Sequence, residues 1–343
     1  MAKAAKAQEG SISKFQDALD KLNKAYGVGT VLTLDSKSTG NYDVISTGSI
    51  GFDYITLGVG GFVKGKLYEL MGWEGSGKST ICGHAVAECQ KKGGTVLYID
   101  GEHAVDKNYF QALGVDTTKM LIAQPSCGEE GFQIAMDMIN TGDIDLVIID
   151  SDSSLIPKKV LDGEVGDSSI GRKALLNSNA YPKLKSALSE HNVCVIVVSQ
   201  YREKIGMMFG NPTTTQGGHA LKFYSDVRVE VSKSLAKEGD QAYGNITKMK
   251  AIKNKMAPPY RLANFEIVYG VGIDKLKEVM ELINEYGIGR KYGKTMTIGE
   301  HKYDLDVFRS MLTDNEEFYN EIKKEILNKI NNVEIKIEED VED

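Results

Sequence analysis

Residues Gly72 to Ser79 read GWEGSGKS, a loop framed by glycines that ends in a lysine beside a hydroxyl. It follows the apolar run KLYELM and opens a stretch of helical patterning, the strand, loop and helix context of a phosphate-binding loop. Backbone N–H groups freed by the glycines can wrap an anion, Lys78 can reach β- and γ-phosphate oxygens, and Ser79 offers a hydroxyl to Mg²⁺. A merely structural glycine turn has no use for Lys78 at the helix start. The chemistry implied is the binding of a nucleoside triphosphate.

Such a site needs a carboxylate for the metal and a group that directs the attacking water. The run DLVIID ends in Asp150, the Walker B pattern, which puts a carboxylate at the same sheet edge as the phosphate loop. LYIDGEH supplies Asp100 and Glu102; either can orient water, and only one is expected to point into the site. VCVIVVSQ ends in Ser199-Gln200, an amide able to sense the γ-phosphate and relay its presence into residues 202–224, REKIGMMFGNPTTTQGGHALKFY. That segment lacks helix or strand periodicity and carries no charge between Lys204 and Lys222. Loops beyond about 12 to 15 residues without structure of their own are functional or disordered.

The elements that must position these groups alternate along the chain. KLYELMG, TVLYID, MLIAQP, DLVIID and VCVIVVSQ are continuous apolar runs, with helices expected near 79–92, 104–113, 128–141 and 172–190. This order predicts an α/β core with a mostly parallel sheet covered on both faces. DVRVEVS, TKMKAIK and FEIVYG read as antiparallel additions to one edge. Ile12, Phe15, Leu19, Leu22 and Tyr26 mark an amphipathic helix over 11–27, whose stripe must pack on its own core or on a neighbouring subunit. Past a boundary near 270–274, helices at 274–286 and 314–330 suggest a small α+β module.

Composition is ordinary for a globular chain of 343 residues. The four cysteines form no CxxC pair and read as reduced core thiols of a cytoplasmic protein. No leader and no membrane-length apolar stretch is expected. The net charge of −7 argues against a uniformly basic nucleic-acid binder, but the segment from Asn331 holds six acids against Lys336, so the rest is nearly neutral. That acidic tail reads either as a solubilising end or as a restraint on a basic groove.

Several stretches, in this order and spacing, give the chain its resemblance from about residue 11 to 285 to the bacterial RecA recombinase family. They are ISTGSIGFD (45–53), GWEGSGKST, YIDGEHAVD (98–106), DGEVGDSS (162–169), KIGMMFGNP (204–212), GGHALKFYSDVR (217–228) and KNKMAPPY (253–260). The resemblance implies an N-terminal polymerisation helix and strand over 1–38, a RecA-type P-loop ATPase core over 39–273, a small C-terminal α+β domain over 274–330 and the acidic tail over 331–343. It makes Glu102, Lys78 and Gln200 the catalytic set. Gly72, Trp73, Glu74, Gly75, Ser76, Gly77, Lys78, Ser79 and Thr80 would cradle ATP, with Ser79 and Asp150 on Mg²⁺ and Asp106, Tyr109 and Tyr269 at the adenine. Lys253 and Lys255 would reach the ATP of the adjacent subunit, although on spacing alone such a pair more often marks a solvated strand face.

The resemblance further assigns DNA contact to two segments, 162–171 and about 201–215. Gly163, Glu164, Val165, Gly166, Ile170, Arg172 and Lys173 belong with the first; Arg202, Met207, Met208, Phe209, Gly210, Asn211, Gly217, Gly218 and His219 belong with the second. Glycines and amides suit backbone-led contact without base reading. The expected activity is a DNA-dependent ATPase that forms head-to-tail filaments on single-stranded DNA, pairs it with duplex and exchanges strands in recombination, repair and the SOS response. A LexA-like repressor and loading proteins are expected partners. The rivals are a ring-forming helicase on the same core and a nucleotide-gated DNA-binding filament with weak turnover. Leu175 and Pro182 stand where the family places arginines, Asp152 stands where an apolar residue is usual, and Trp73 is an unusual phosphate-loop residue, so the chain reads as a divergent member.

Overall fold

The structure is a computed structural model that describes residues 15–27, 31, 42–164, 171–203, 213–215 and 217–332. It divides into two compact units, Met1–Tyr42 and Asp43–Asp343. In the first, helix α1 spans 15–26. Of the expected stripe, Leu19 is buried, Phe15, Leu22 and Tyr26 are exposed, and Ile12 lies outside the described residues. Val31 exchanges two hydrogen bonds of 3.0 Å with the Asn23 side chain.

The second unit is built on a mixed sheet. Its parallel strands are β3 (Leu67–Gly72), β4 (Val96–Asp100), β5 (Leu121–Ala123), β6 (Leu146–Asp150), β7 (Cys194–Glu203) and the start of β9 (Val227–Glu238). Across the sheet the order is β9-β3-β7-β6-β4-β5. Strands β10 (Gln241–Asn254) and β11 (Leu262–Val268) extend the β9 edge antiparallel, as the sequence predicts, and β12 (Gly272–Ile273) continues it. Strand β9 itself, the run DVRVEVS expected to be antiparallel, instead pairs parallel with β3, Tyr68–Met71 lying opposite Val227–Glu230, and β8 (Thr213–Thr215) pairs with β7. A short pair, β1 (Val44–Ile45) with β2 (Phe62–Val63), stands apart from it.

Successive residues of each central strand feed opposite cores, which is why the runs are apolar throughout. Leu70, Tyr98, Ile148 and Ile196 pack with Ile81, Cys82 and Val86 of α2 (Lys78–Lys91). Leu67, Leu97, Ile99, Val147 and Val195 meet Phe132 and Ala135 of α4 (Gly128–Asn140) and Tyr181, Leu184 and Leu188 of α6 (Arg172–Glu190). Each such buried aliphatic or aromatic side chain contributes about 1.5–3 kcal/mol. That burial carries α6 through Pro182, whose missing N–H costs about 3 kcal/mol in a helix interior. The sequence-expected helix at 104–113 is shorter, α3 (Lys107–Ala112), because the Asp106 carboxylate caps its first turn by accepting Tyr109 N–H at 2.7 Å. One turn, α5 (Lys158–Leu161), precedes the first expected DNA segment, and another, α7 (Ala220–Tyr224), follows the second.

The C-terminal part holds α8 (Lys275–Glu285), the antiparallel sheet β13 (Gly289–Tyr292), β14 (Thr295–Ile298) and β15 (His301–Asp304), then α9 (Leu305–Asp314) and α10 (Glu316–Asn332). Helix α9 goes beyond the sequence reading, which left 305–314 without structure; Phe308 and Leu312 bury it against Ile283, Ile322 and Ile326. The same core includes Ile50, and Glu278 on α8 accepts Ser49 Oγ–H at 2.5 Å and the Gly51 N–H at 3.0 Å. Of the cysteines, Cys82, Cys89 and Cys194 are buried free thiols, while Cys127 is half-buried. Residues 333–343, including the acidic tail proper, lie outside the described residues.

Candidate nucleotide site and nucleic-acid segments

Sheet register brings the expected residues to one edge. Gly72, the last residue of β3, lies opposite Gln200 of β7, and Asp100 of β4 lies opposite Asp150 of β6. The chain then turns through Trp73–Gly77 into α2. Gly77 is the N-cap with φ +97°, a backbone conformation that favours glycine, and it packs close to β11, where a Cβ would stand 2.5 Å from Ile267 Cδ1. Lys78 follows at the helix N-terminus, where the helix dipole and free N–H groups favour anions. The result is an open cleft of about 310 Å³ lined by Glu74–Thr80, Glu102, Tyr109, Asp150, Gln200, Asn245 and Tyr269.

Inside it, Lys78 Nζ lies 2.8 Å from Trp73 O and 3.1 Å from Gly72 O. Burial lowers its pKa, and the charges of Asp150 and Glu102 oppose that shift. Asp150 is shifted up by desolvation, against hydrogen bonds from Tyr98 and Ser79; the Tyr98 hydroxyl donates to Asp150 Oδ2 at 2.6 Å. Glu102 Oε1 accepts Gln200 Nε2–H at 2.7 Å and Ser151 Oγ–H at 2.6 Å. Asp100 is turned away: it is buried and accepts the N–H groups of Ala104 and Val105 and the Gln124 amide. Of the two acids, then, Glu102 faces the cleft.

Tyr109 reaches Thr80 through a 2.7 Å hydroxyl contact, and Tyr269 donates to Asn245 Oδ1 at 3.1 Å. Asp106 caps α3 and does not line the cleft. Trp73 is exposed and packs edge-on against Tyr201, ring centroids 5.9 Å apart, and the Tyr201 hydroxyl donates to Glu230. Lys253 and Lys255 do not line this cleft either. Lys253 Nζ donates to the carbonyls of Lys222 and Phe223, and Lys255 pairs with Asp226 at 3.2 Å.

The sequence reading missed Asn245, which reaches Gly75 O at 3.4 Å, and Ser151, which holds Glu102. Neither lies in the loop motif, and each arrives from another strand. Among the expected DNA residues, Gly163, Glu164, Arg172, Arg202, Gly218 and His219 are exposed. Arg172 Nη1 donates to Lys159 O, and the His219 ring lies against Phe223. Lys173, expected to add charge for DNA, instead has its ammonium turned inward: it donates to Leu155 O at 2.7 Å and pairs with Asp152 at 3.4 Å. Val165, Gly166, Ile170, Met207, Met208, Phe209, Gly210 and Asn211 lie outside the described residues.

The parallel sheet and its strand-end phosphate loop define the class, a P-loop ATPase with an α/β core. The family profile described as the RecA N-terminal domain matches residues 13–274. The curated protein named Protein RecA from Cytophaga hutchinsonii is 45% identical over 94% of this chain and 92% of its own length. Its namesake from Saccharopolyspora erythraea is 43% identical over 91% of each chain, and that from Aquifex aeolicus 44% over 83% of each. The chain belongs to the RecA family. It is accordingly a DNA-dependent ATP hydrolase of recombination and repair that binds nucleotide and DNA and associates with its own copies. Among the described residues no helix is long and apolar enough to cross a membrane.

Proposed function

We propose that Glu102 directs and activates the water that attacks the γ-phosphate, and that Gln200 reports the phosphate's presence to the chain beyond β7. The observation that carries this reading is one carboxylate oxygen, Glu102 Oε1, which takes hydrogen bonds from both Gln200 and Ser151 at the cleft mouth. ATP hydrolysis here needs no covalent intermediate; catalysis rests on positioning and charge. Glu74–Thr80 cradle the phosphates, Lys78 neutralises the β and γ oxygens, and Tyr109 and Tyr269, with Asp106 behind them, border the adenine.

The donor set fits Mg²⁺. Ser79 hydrogen-bonds Asp150, so a hydroxyl and a carboxylate, hard oxygen donors of the kind Mg²⁺ takes, stand together at the end of the phosphate loop. Ser79 and Asp150 would hold the ion, which would supply positive charge against the phosphate oxygens.

Lys253 and Lys255 complete the site of the adjacent subunit in a head-to-tail helical filament; their separation from their own cleft supports this. The exposed Phe15, Leu22 and Tyr26 of α1 support its role as the packing element. Gly163, Glu164, Arg172, Arg202, Gly217, Gly218 and His219 flank the DNA path, and Val165, Gly166, Ile170, Met207, Met208, Phe209, Gly210 and Asn211 join it on sequence grounds. The filament holds single-stranded DNA, pairs it with a homologous duplex, and acts in the cytoplasm, with a LexA-like repressor and loading proteins as further partners.

The test is steady-state ATP hydrolysis with and without poly(dT) for wild type, Glu102→Ala and Phe209→Ala. Strong DNA stimulation lost in Glu102→Ala and weakened in Phe209→Ala is expected. Negligible turnover with DNA present would favour a nucleotide-gated filament, and turnover indifferent to DNA would remove the segment after β7 from the DNA path.

A further inference from the structure

Asp152 opens a short 3-10 turn two residues beyond Asp150 and is buried. Its carboxylate accepts the Tyr181 hydroxyl at 2.6 Å and Asn177 Nδ2–H at 3.1 Å, and Lys173 Nζ lies 3.4 Å away. Residues 173, 177 and 181 are four apart, so all three project from one stripe of α6. That stripe presents a cation, an amide and a phenol to a single acid inside the protein. Lys173 is fixed further by Leu155 O and by the Phe132 ring, 5.9 Å from its ammonium.

The cluster also reaches the chain after the second DNA segment. Asn177 Nδ2 lies 3.2 Å from Gly217 O. Gly217 adopts φ +91°, and a Cβ there would stand 2.2 Å from Asn177 Nδ2 and 2.8 Å from Asp152 Oδ2. At Gly218 a Cβ would stand 2.9 Å from Ala174 Cβ, so residues 217–218 lie directly on α6. On its other side Asp152 is the peptide neighbour of Ser151, whose hydroxyl holds Glu102. One buried acid therefore joins the end of β6, the helix that follows the first DNA segment and the residues that close the second.

We infer that Asp152 is a positioning residue for DNA engagement: it anchors Lys173, Asn177, Tyr181 and, through Asn177, Gly217, so that both DNA segments leave from one point beside the nucleotide site. The inference rests on the reading of 162–171 and 201–215 as DNA-binding. A buried polar cluster holds one geometry only while every member is satisfied. Replacing the acid by an amide leaves Lys173 without its counter-charge, which loosens α6 and the Gly217 contact together. A displacement of Glu102 reaches the same anchor through the Ser151–Asp152 peptide, giving a route from nucleotide to DNA segments distinct from Gln200.

Asp152→Asn and Tyr181→Phe test this. Binding of a fluorescent ATP analogue without DNA is expected to stay within roughly twofold of wild type for both. The poly(dT) concentration giving half-maximal stimulation of hydrolysis is expected to rise roughly tenfold in Asp152→Asn and roughly threefold in Tyr181→Phe, the rate at saturating DNA being retained. An unchanged half-stimulating concentration in both variants overturns the inference while leaving the DNA reading intact. So does a fall in saturating rate that merely tracks a lower melting temperature. Hydrolysis unstimulated by DNA in wild type overturns the reading and the inference with it. Should Asp152→Asn not fold, Tyr181→Phe, which removes one hydroxyl, decides alone.

Discussion

The side-chain amide of Gln200 donates to Glu102 Oε1 across 2.7 Å, although 98 residues separate the two in sequence. One lies within β7, three residues before its end, and the other just past β4, with β6 between them. Their contact makes Glu102 sensitive to whatever moves Gln200. Glu102→Gln keeps the size of the side chain but removes the base, so DNA-stimulated hydrolysis is expected to fall roughly 10²–10⁴-fold. Nucleotide affinity should persist, because Lys78 and the loop N–H groups are untouched; loss of both together would show that Glu102 is structural.

The proposed completion of the site by Lys253 of the neighbouring subunit predicts that two broken sites can rebuild a working one. Glu102→Ala and Lys253→Ala are each expected to hydrolyse ATP poorly. Mixed in equal amounts on poly(dT), they should recover roughly a quarter of the wild-type rate, because random head-to-tail order leaves about that share of interfaces intact. No recovery would mean that Lys253 acts within its own subunit.

Trp73 is the single tryptophan of the chain and sits in the phosphate loop with its ring against Tyr201. Its emission is therefore expected to change when a non-hydrolysable ATP analogue enters, and the change should vanish in Lys78→Ala. A spectrum that stays constant while a separate probe reports binding would mean that the loop does not move against β7.

Arg228 Nε donates to Glu69 Oε2 at 2.5 Å within the sheet, both residues being buried. Arg228→Met leaves Glu69 as an uncompensated internal charge, for which a loss of about 3–5 kcal/mol is expected in denaturant unfolding. Adding Glu69→Leu to that variant should restore much of the stability, because the desolvation cost disappears with the charge.

Burial pushes the Glu278 carboxyl up to about 7, against hydrogen bonds from Ser49, Gly51 and Ile50. A carboxyl whose folded pKa lies above its unfolded value stabilises the fold in its protonated form. That contribution is complete below pH 4.5 and is lost as pH rises toward 7. Melting curves of wild type and Glu278→Gln should therefore diverge over this window, the variant gaining roughly 3 kcal/mol relative to wild type by neutral pH. Parallel curves would show that Glu278 stays ionised.

Much of the site was legible in the chain itself, because a phosphate loop is local. Glycines, Lys78 and Ser79 follow one another, and the fourteen-residue helix they open begins at Lys78 itself. The strand runs were legible for a related reason: a parallel strand covered on both faces must be apolar at every position. Helix α9 was legible too, since Leu305, Phe308, Met311 and Leu312 repeat at helical spacing, although the sequence reading did not assign it. Asn245, Ser151, the Glu69–Arg228 pair and the inward turn of Lys173 were set by the tertiary structure. Each depends on which strands lie side by side and in what register, and on which face of α6 meets Asp152. Sequence thus determined the nucleotide cradle and the family; packing between distant segments determined what holds Glu102 and where Lys173 points, because the energy of a buried charge depends on partners that only the folded chain brings within reach.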